Sequence, residues 1–345
     1  MGNQGAKRAE PRFKVVICGG AGGIGQPLSL LMCLDERVKE VVVQDVTMAM
    51  IPAAGVAADL AHLETPAKVT HCAIDPNAPD VPSQLKPALA GAHLVLVPAG
   101  VPRKPGMSRD DLFSINANIA RDIVLACSEA CPEAVVALIV NPVNSIVPAM
   151  CEIYKSKGIS PRKIVGVTTL DVVRANKFVS EINGKHVGDV AVPVVGGHAG
   201  KTILPLLSQV TPPIPDGKIR SLDQRIQDAG TEVVDAKGGK GSATLSMAYA
   251  GARLGKAVLS GLEGKPTEEY AYVALLEDAG NIAPGVLKGF KMPYFTTKVK
   301  FGKTGVEGVL PIGKLSNHER TRLDEAATQL QIEIEKGIQY AAKQR

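Results

Sequence analysis

The 345-residue chain has no tryptophan, and phenylalanine and tyrosine bring its aromatic share to only 3%. Proteins that stack bases along a basic groove need the aromatics this sequence withholds. It also has no long Lys/Arg tract. Its 39 basic and 34 acidic side chains leave a formal charge of +5, too mild and scattered to argue for a nucleic-acid partner. Pro, Gly or charge interrupts every apolar run well short of a membrane span, so no transmembrane helix is expected. The six cysteines lack paired spacing, which fits reduced thiols in an intracellular compartment. Cys127 and Cys131 share a face of an expected helix and read as small core residues rather than a metal or redox pair. The opening "MGNQGAKRAEPR" has no apolar signal core and no clear transit pattern, and Ala6 breaks the myristoylation motif. The final Lys343-Gln344-Arg345 is not a Ser-Lys-Leu address. A pI near 8.8 suits mitochondrial matrix, microbody or cytosol, and the sequence does not choose among them.

What the chain does have is length for a large core, 45% hydrophobic residues, and an alternation of two patterns. The β-branched runs "FKVVIC" (13–18), "KEVVVQD" (39–45), "AHLVLVPAG" (92–100) and "AVVALIVNP" (134–142) read as buried strands. Between them lie helical patterns at 26–38, 53–63 and 115–131. Strands alternating with helices predict an α/β fold: a Rossmann-type doubly wound parallel sheet, followed by a mixed α/β domain. The expected division is 13–145 for the first domain and 146–345 for the second. In the second part, helices are expected at 145–157, 241–260 and 317–341. A strand running into a helix is expected over 163–182, with mixed strands between 270 and 311. The Pro-rich stretches 75–87 and 211–217 read as surface loops.

"CGGAGGIGQ" (18–26) follows the first strand and opens the first helix. Gly20, Gly22 and Gly25 fit G-x-G-x-x-G, and Gly19, Gly22 and Gly25 fit a second register. Such glycines permit a tight turn, close approach of a pyrophosphate and close helix–sheet packing. The helix N-terminus then faces the phosphates with unpaired N–H groups. Asp45 ends the second strand twenty residues after Gly25, where its carboxylate can accept both ribose hydroxyls of an adenosine and repel a 2′-phosphate. NAD is therefore expected rather than NADP. "GGHAGKT" and "FGKTG" imitate a P-loop, but Val195 and Thr297 stand where its first glycine belongs.

"GVPRKPGMSRDD" (100–111) gathers Arg103, Lys104 and Arg109 in a stretch broken by prolines and glycines. It is expected as a cationic loop, because such residues disfavour a regular helix or central strand. In "TTLDVVRAN" (168–176), Asp171 and Arg174 share a helix face. His198 sits among glycines in "VVGGHAGKTILP", where small neighbours let a ligand come close. With Asp171 accepting its Nδ1–H, its Nε2 could exchange a proton near neutral pH.

Six motifs in order carry a resemblance: "GGAGGIGQPLSLL", "AGVPRKPGMSRDDLFSINA", "NPVNS", "GVTTLDVVRAN", "PVVGGHAGKTILPLLSQ" and "GTEVVDAKGGKGSATLSMAYA". Over residues 13–341 the chain resembles the NAD-dependent malate dehydrogenases of mitochondrial and bacterial type, relatives of the lactate dehydrogenases. The resemblance implies that His198 and Asp171 form the acid–base pair. It implies that Arg174 grips the C1 carboxylate, Arg109 polarises the carbonyl and Arg103 binds the C4 carboxylate. Asn141 would contact substrate and cofactor. Gly19, Gly20, Gly22, Gly23, Ile24, Gly25, Asp45, Asn116, Ile139, Val140 and Met247 would contact NAD, and no metal is implied. Lactate dehydrogenases usually carry a neutral glutamine where Arg103 stands, so this cation favours a four-carbon diacid, malate or oxaloacetate. Family members work as homodimers. The alternatives are a related lactate-like or aromatic 2-hydroxyacid dehydrogenase, or a binding protein on the same scaffold. The intact acid–base pair argues against the latter.

Overall fold

The structure is a computed structural model that describes residues 10–102, 108–275 and 292–344. The first part alternates as expected: β1 (Phe13–Cys18), α1 (Gly25–Cys33), β2 (Val38–Val46), α2 (Ala53–Leu60), β3 (Lys68–Ile74), α3 (Val81–Leu89), β4 (Leu94–Val97), α4 (Arg109–Ala130), β5 (Val135–Leu138), α5 (Val143–Ser156) and β6 (Ile164–Gly166). These six strands are parallel, in the order β3-β2-β1-β4-β5-β6. β1, β4 and β5 are buried on both faces, which is why they read as unbroken apolar runs. The order reverses between β1 and β4, and a crevice opens beyond the strand ends at such a point.

The second part contains α6 (Thr169–Asn183), β7 (Val194–Gly196), β8 (Ile203–Pro205), α7 (Asp216–Ala236), α8 (Leu245–Leu262), β9 (Thr267–Ala274), β10 (Tyr294–Gly302), β11 (Gly305–Val309) and α9 (Asn317–Ala342). Its antiparallel strands continue the parallel sheet through one pair, Gly166 with Tyr272. Among the described residues a single eleven-stranded sheet therefore runs through both parts. The main apolar core follows it. A smaller core packs α6 and α7 against β7 and β8, with Val172, Val194 and Ile226 among its members.

Two expectations are corrected. The Pro-rich stretch 75–87 is not all loop, because α3 begins within it at Val81. Asp80 caps the helix by accepting from Ser83 N–H, and Pro82 lies in the first turn, where a missing N–H costs little. The cationic stretch 100–111 ends in helix. Ser108 and Asp111 form a capping box, so Arg109 is the first residue of α4. Neither β3 nor α7 was anticipated, since β3 is half-exposed and lacks a buried run, and α7 is strongly polar. Cys127 and Cys131 are buried, as expected of core residues.

Candidate active site

The glycine loop is shaped by packing first. A Cβ on Gly25 would lie 2.0 Å from the Gly19 carbonyl oxygen, and Gly19 itself adopts φ +93° against the Ala99 backbone. Both positions require glycine whatever binds. Gly22 differs, because its Cβ would meet only Gly19 O at 3.4 Å, an ordinary contact. Packing leaves Gly22 free to be larger, so its lack of a side chain fits a ligand that must approach the backbone. Asp45 leans over the loop, its Oδ2 accepting from Ala21 N–H at 2.9 Å and its Oδ1 from Val46 N–H at 2.8 Å. Each oxygen keeps a lone pair for a hydroxyl donor. Beside them opens a cavity of about 510 Å³ bordered by Gly19, Gly22 and Asp45, with Ile74, Val81 and Ile119 as apolar walls. The polar edge and apolar slot fit the adenosine end of a dinucleotide. Gly20 and Gly23 pack against Val43 and Thr244.

A second cleft, of about 430 Å³, brings together Ile24, Ile139, Asn141, Asp171, Arg174, His198 and Met247. Residues from both halves of the chain thus meet at the carboxyl ends of the parallel strands. His198 follows β7 in a turn, and its Nδ1 lies 2.7 Å from Oδ2 of Asp171 in the first turn of α6. The Asp171 side chain is 1% exposed and that of His198 11%. Burial alone would push the imidazole pKa down. The charge of Asp171 and the hydrogen bond to it act the other way and carry the net shift upward, with Arg174 in partial opposition. The pair can hold a proton near neutrality and release it when a neighbour's charge changes.

Arg174 lies one turn along α6. Among the described residues no acceptor hydrogen-bonds its guanidinium. Its pKa is lowered, chiefly by burial, while Asp171 and Glu232 act upward. Oδ1 of Asp171 is likewise buried without a hydrogen-bond partner. A half-buried guanidinium fork facing an open cleft fits a planar anion such as a carboxylate.

The other candidate residues divide. Asn116 is buried with its side chain engaged: Oδ1 accepts from Val101 N–H, while Nδ2 donates to Val101 O and Asn141 O. It fastens the base of the cationic loop to the end of β5. Val140 is buried and packs near Gly100. Arg103 falls outside the described residues, as does the side chain of Arg109. Motif reading missed Gln227, Asp228 and Thr231 of α7, which form the cleft wall near Arg174. Thr231 lies in the "GTEVVDAKGGKGSATLSMAYA" motif, and for Gln227 and Asp228 the only signal would have been the amphipathic spacing of α7.

Comparison with known proteins places the chain in a family. Residues 13–166 match the family model for the lactate/malate dehydrogenase NAD binding domain, and 168–341 match that for the lactate/malate dehydrogenase alpha/beta C-terminal domain. The chain is 47% identical over 342 residues to peroxisomal malate dehydrogenase 1 of Arabidopsis thaliana, covering 98% of this chain and 90% of that protein. It is 48% identical over 330 residues to the mitochondrial malate dehydrogenase of Caenorhabditis elegans, covering 95% and 90%. In fold it is similar to the malate dehydrogenase of Picrophilus torridus, with TM-score 0.83 and 22% identity over 97% of this chain and all of that one. The malate dehydrogenase of Cryptosporidium parvum gives TM-score 0.76 and 26% identity over 94% and 99%. The chain belongs to the lactate/malate dehydrogenase family and is an NAD-dependent oxidoreductase.

Proposed function

We propose that the chain is a malate dehydrogenase that interconverts (S)-malate and oxaloacetate. The observation that carries this reading is the guanidinium of Arg174, without a hydrogen-bond partner among the described residues, in the same cleft as the His198–Asp171 pair. Arg174 takes the C1 carboxylate, which places the C2 hydroxyl toward Nε2 of His198. In malate oxidation His198 accepts the hydroxyl proton, and Asp171 stabilises the imidazolium that results and fixes its tautomer. NAD, when bound, would supply the acceptor for the hydride from C2. Gly19, Gly22 and Gly25 would shape the turn for its phosphates, Asp45 would hold its ribose, and Ile24, Asn141 and Met247 would face its reactive end. Asn116, Ile139 and Val140 hold the backbone on which that end rests. In the reverse direction His198 donates the proton to the carbonyl oxygen, with Arg109 polarising it.

Arg103 makes the substrate a diacid, by pairing with the C4 carboxylate. A monoacid would leave this cation unpaired, and truncating one member of such a pair costs about 2–5 kcal/mol. The malate dehydrogenase names of the relatives support the same choice. NADH consumption measured in parallel with oxaloacetate, pyruvate and an aromatic 2-oxo acid tests it. Oxaloacetate is expected to be fastest, and pyruvate outpacing it would overturn the assignment in favour of a lactate-like enzyme.

The proposal extends to organisation. Residues 13–145 form the NAD-binding domain and 146–345 the catalytic domain, with Arg103, Arg109 and Asn141 reaching the substrate from the first and Met247 reaching the cofactor from the second. The working form is a homodimer, supported by the exposed apolar side chains Met48, Met50 and Ile51 before α2 and Leu245 and Tyr249 on α8. Light scattering after size exclusion should give twice the chain mass. The relatives named mitochondrial, peroxisomal and glyoxysomal fit an intracellular enzyme. No described helix is long and apolar enough to cross a membrane.

A further inference from the structure

The turn that carries His198 links β7 to β8 through a 3-10 turn at Gly200–Thr202, and the His198 N–H itself is held by one buried side chain. Asn144, in the first turn of α5, is 1% exposed. Its Oδ1 accepts from the backbone N–H of His198 at 2.9 Å. Its Nδ2 donates to Oε2 of Glu333 on α9 at 2.7 Å and to Oγ1 of Thr202 at 3.1 Å. Thr202 closes the turn by accepting from Ala199 N–H and donating to Ala199 O. The fit is tight, since a Cβ on Gly197 would lie 2.7 Å from the Asn144 amide. The amide orientation follows from chemistry. A backbone N–H needs an acceptor and a carboxylate needs a donor, so the Asn144 side chain must face His198 with oxygen and Glu333 with nitrogen.

α9 is pressed onto α5 at this level. A Cβ on Gly337 would meet the Ser145 carbonyl oxygen at 2.1 Å, so only glycine permits the crossing. The same helix holds the far end of the turn, where Arg322 donates to the carbonyls of Lys201 and Ile203. Glu333 is steadied from within α9 by Gln329, whose Nε2 donates to Oε1. The histidine's backbone is thus held by an amide whose own orientation is dictated by a carboxylate from the last helix.

We propose that Asn144 and Glu333 are a positioning pair for His198, setting the height and direction of its imidazole in the cleft through the Asn144 Oδ1 contact to its backbone N–H. This rests on the reading of His198 as the proton carrier. Neither residue touches substrate, and each acts through the turn.

The pair makes a reciprocal swap possible. Asn144→Asp keeps an acceptor for His198 N–H but sets two carboxylates against each other. Adding Glu333→Gln restores a donor facing an acceptor, with the amide now on the helix side. A displacement of about 1 Å at a reacting group can cost about 100-fold in rate, and N144D is expected to lose kcat on that scale in oxaloacetate reduction. NADH binding stoichiometry, read by fluorescence titration, should remain that of the parent, as should KM for oxaloacetate. In the double variant kcat should recover about 10-fold or more over N144D, as expected of directly coupled residues. A double variant no faster than N144D overturns the pair. So does a loss of NADH binding in step with kcat, which would mark a fold defect instead of a misplaced histidine. His198→Gln, run alongside, separates the two levels. Parental turnover in H198Q would sink the reading of the site itself, whereas an inactive H198Q beside an unrescued swap would sink the pair alone.

Discussion

Nδ1 of His198 and Oδ2 of Asp171 stand 2.7 Å apart although 27 residues separate them in the chain. One sits in a glycine-flanked turn and the other at the start of a helix, and the fold closes the gap between them. Because the contact uses Nδ1, the ring's other nitrogen is the one left to meet substrate.

The imidazole of His198 is held above its ordinary 6.5 by Asp171 against the pull of burial. In the proposed mechanism oxaloacetate reduction uses the imidazolium, so kcat/KM should fall as pH rises through the raised value. Malate oxidation uses the neutral ring and should rise over the same interval. The shift also stabilises the fold: its contribution is complete below pH 6.5 and fades as pH climbs through the folded value. Asp171→Asn should move both limbs to lower pH. It should also cost about 10²–10⁴-fold in kcat, the usual scale of acid–base assistance. Limbs that stay in place would show that Asp171 does not govern the proton.

Arg174→Leu should separate binding from stability. Loss of the guanidinium should reduce kcat/KM for oxaloacetate by about 2–5 kcal/mol of transition-state binding. NADH affinity should hold. The ligand-free variant should melt no lower than the parent, because the removed charge is half-buried and has no hydrogen-bond partner among the described residues. A marked drop in Tm would mean that Arg174 is structural.

Two glycines of one loop should fail differently. Gly25→Ala forces a Cβ against Gly19 O, so the loop cannot form, and melting temperature and NADH binding should fall together. Gly22→Ala meets nothing closer than 3.4 Å and should leave melting unchanged while weakening NADH. Calorimetry and NADH fluorescence on both variants decide the matter. Full NADH affinity in Gly22→Ala would remove the phosphate role assigned to that backbone.

Asp45→Ser should weaken NAD and relieve the repulsion of a 2′-phosphate, raising the NADP/NAD ratio of kcat/KM by about 10-fold or more, the scale of one charged hydrogen bond. The lost acceptor for Ala21 N–H should also loosen the loop slightly. An unchanged ratio would place cofactor choice elsewhere.

Arg103→Gln should lower oxaloacetate turnover sharply while sparing NADH binding, as the C4-carboxylate role proposed for Arg103 requires. Equal loss of cofactor affinity would contradict that role.

Strands and helices of the first part were legible because β1, β4 and β5 are buried on both faces and need uninterrupted β-branched runs. β3 escaped because its half-exposed pattern, with His71 and Cys72 at its centre, resembles loop. The capping box at Ser108 was present as S-x-x-D, but nearby prolines and glycines drew the reading toward a loop. His198, Asp171 and Arg174 stood out by residue type and setting. Asn144 did not, although it lies three residues from Asn141 in "NPVNS". A buried amide announces nothing in sequence until the groups it joins are known, and here they lie 54 and 189 residues away.

The crossing of α9 over α5 has a consequence for the order in which the enzyme is made. The chain is synthesised from its N-terminus, and the glycine loop, Asp45 and the parallel strands are complete long before residue 317, where α9 begins. The His198 turn cannot gain its Arg322 contacts, nor Asn144 its Glu333 partner, until that helix has emerged. Lys336 on the same helix pairs with Asp110 at the root of the cationic loop, so that anchor also arrives late. A nascent chain therefore has the makings of a cofactor cradle well before its acid–base centre is fully braced.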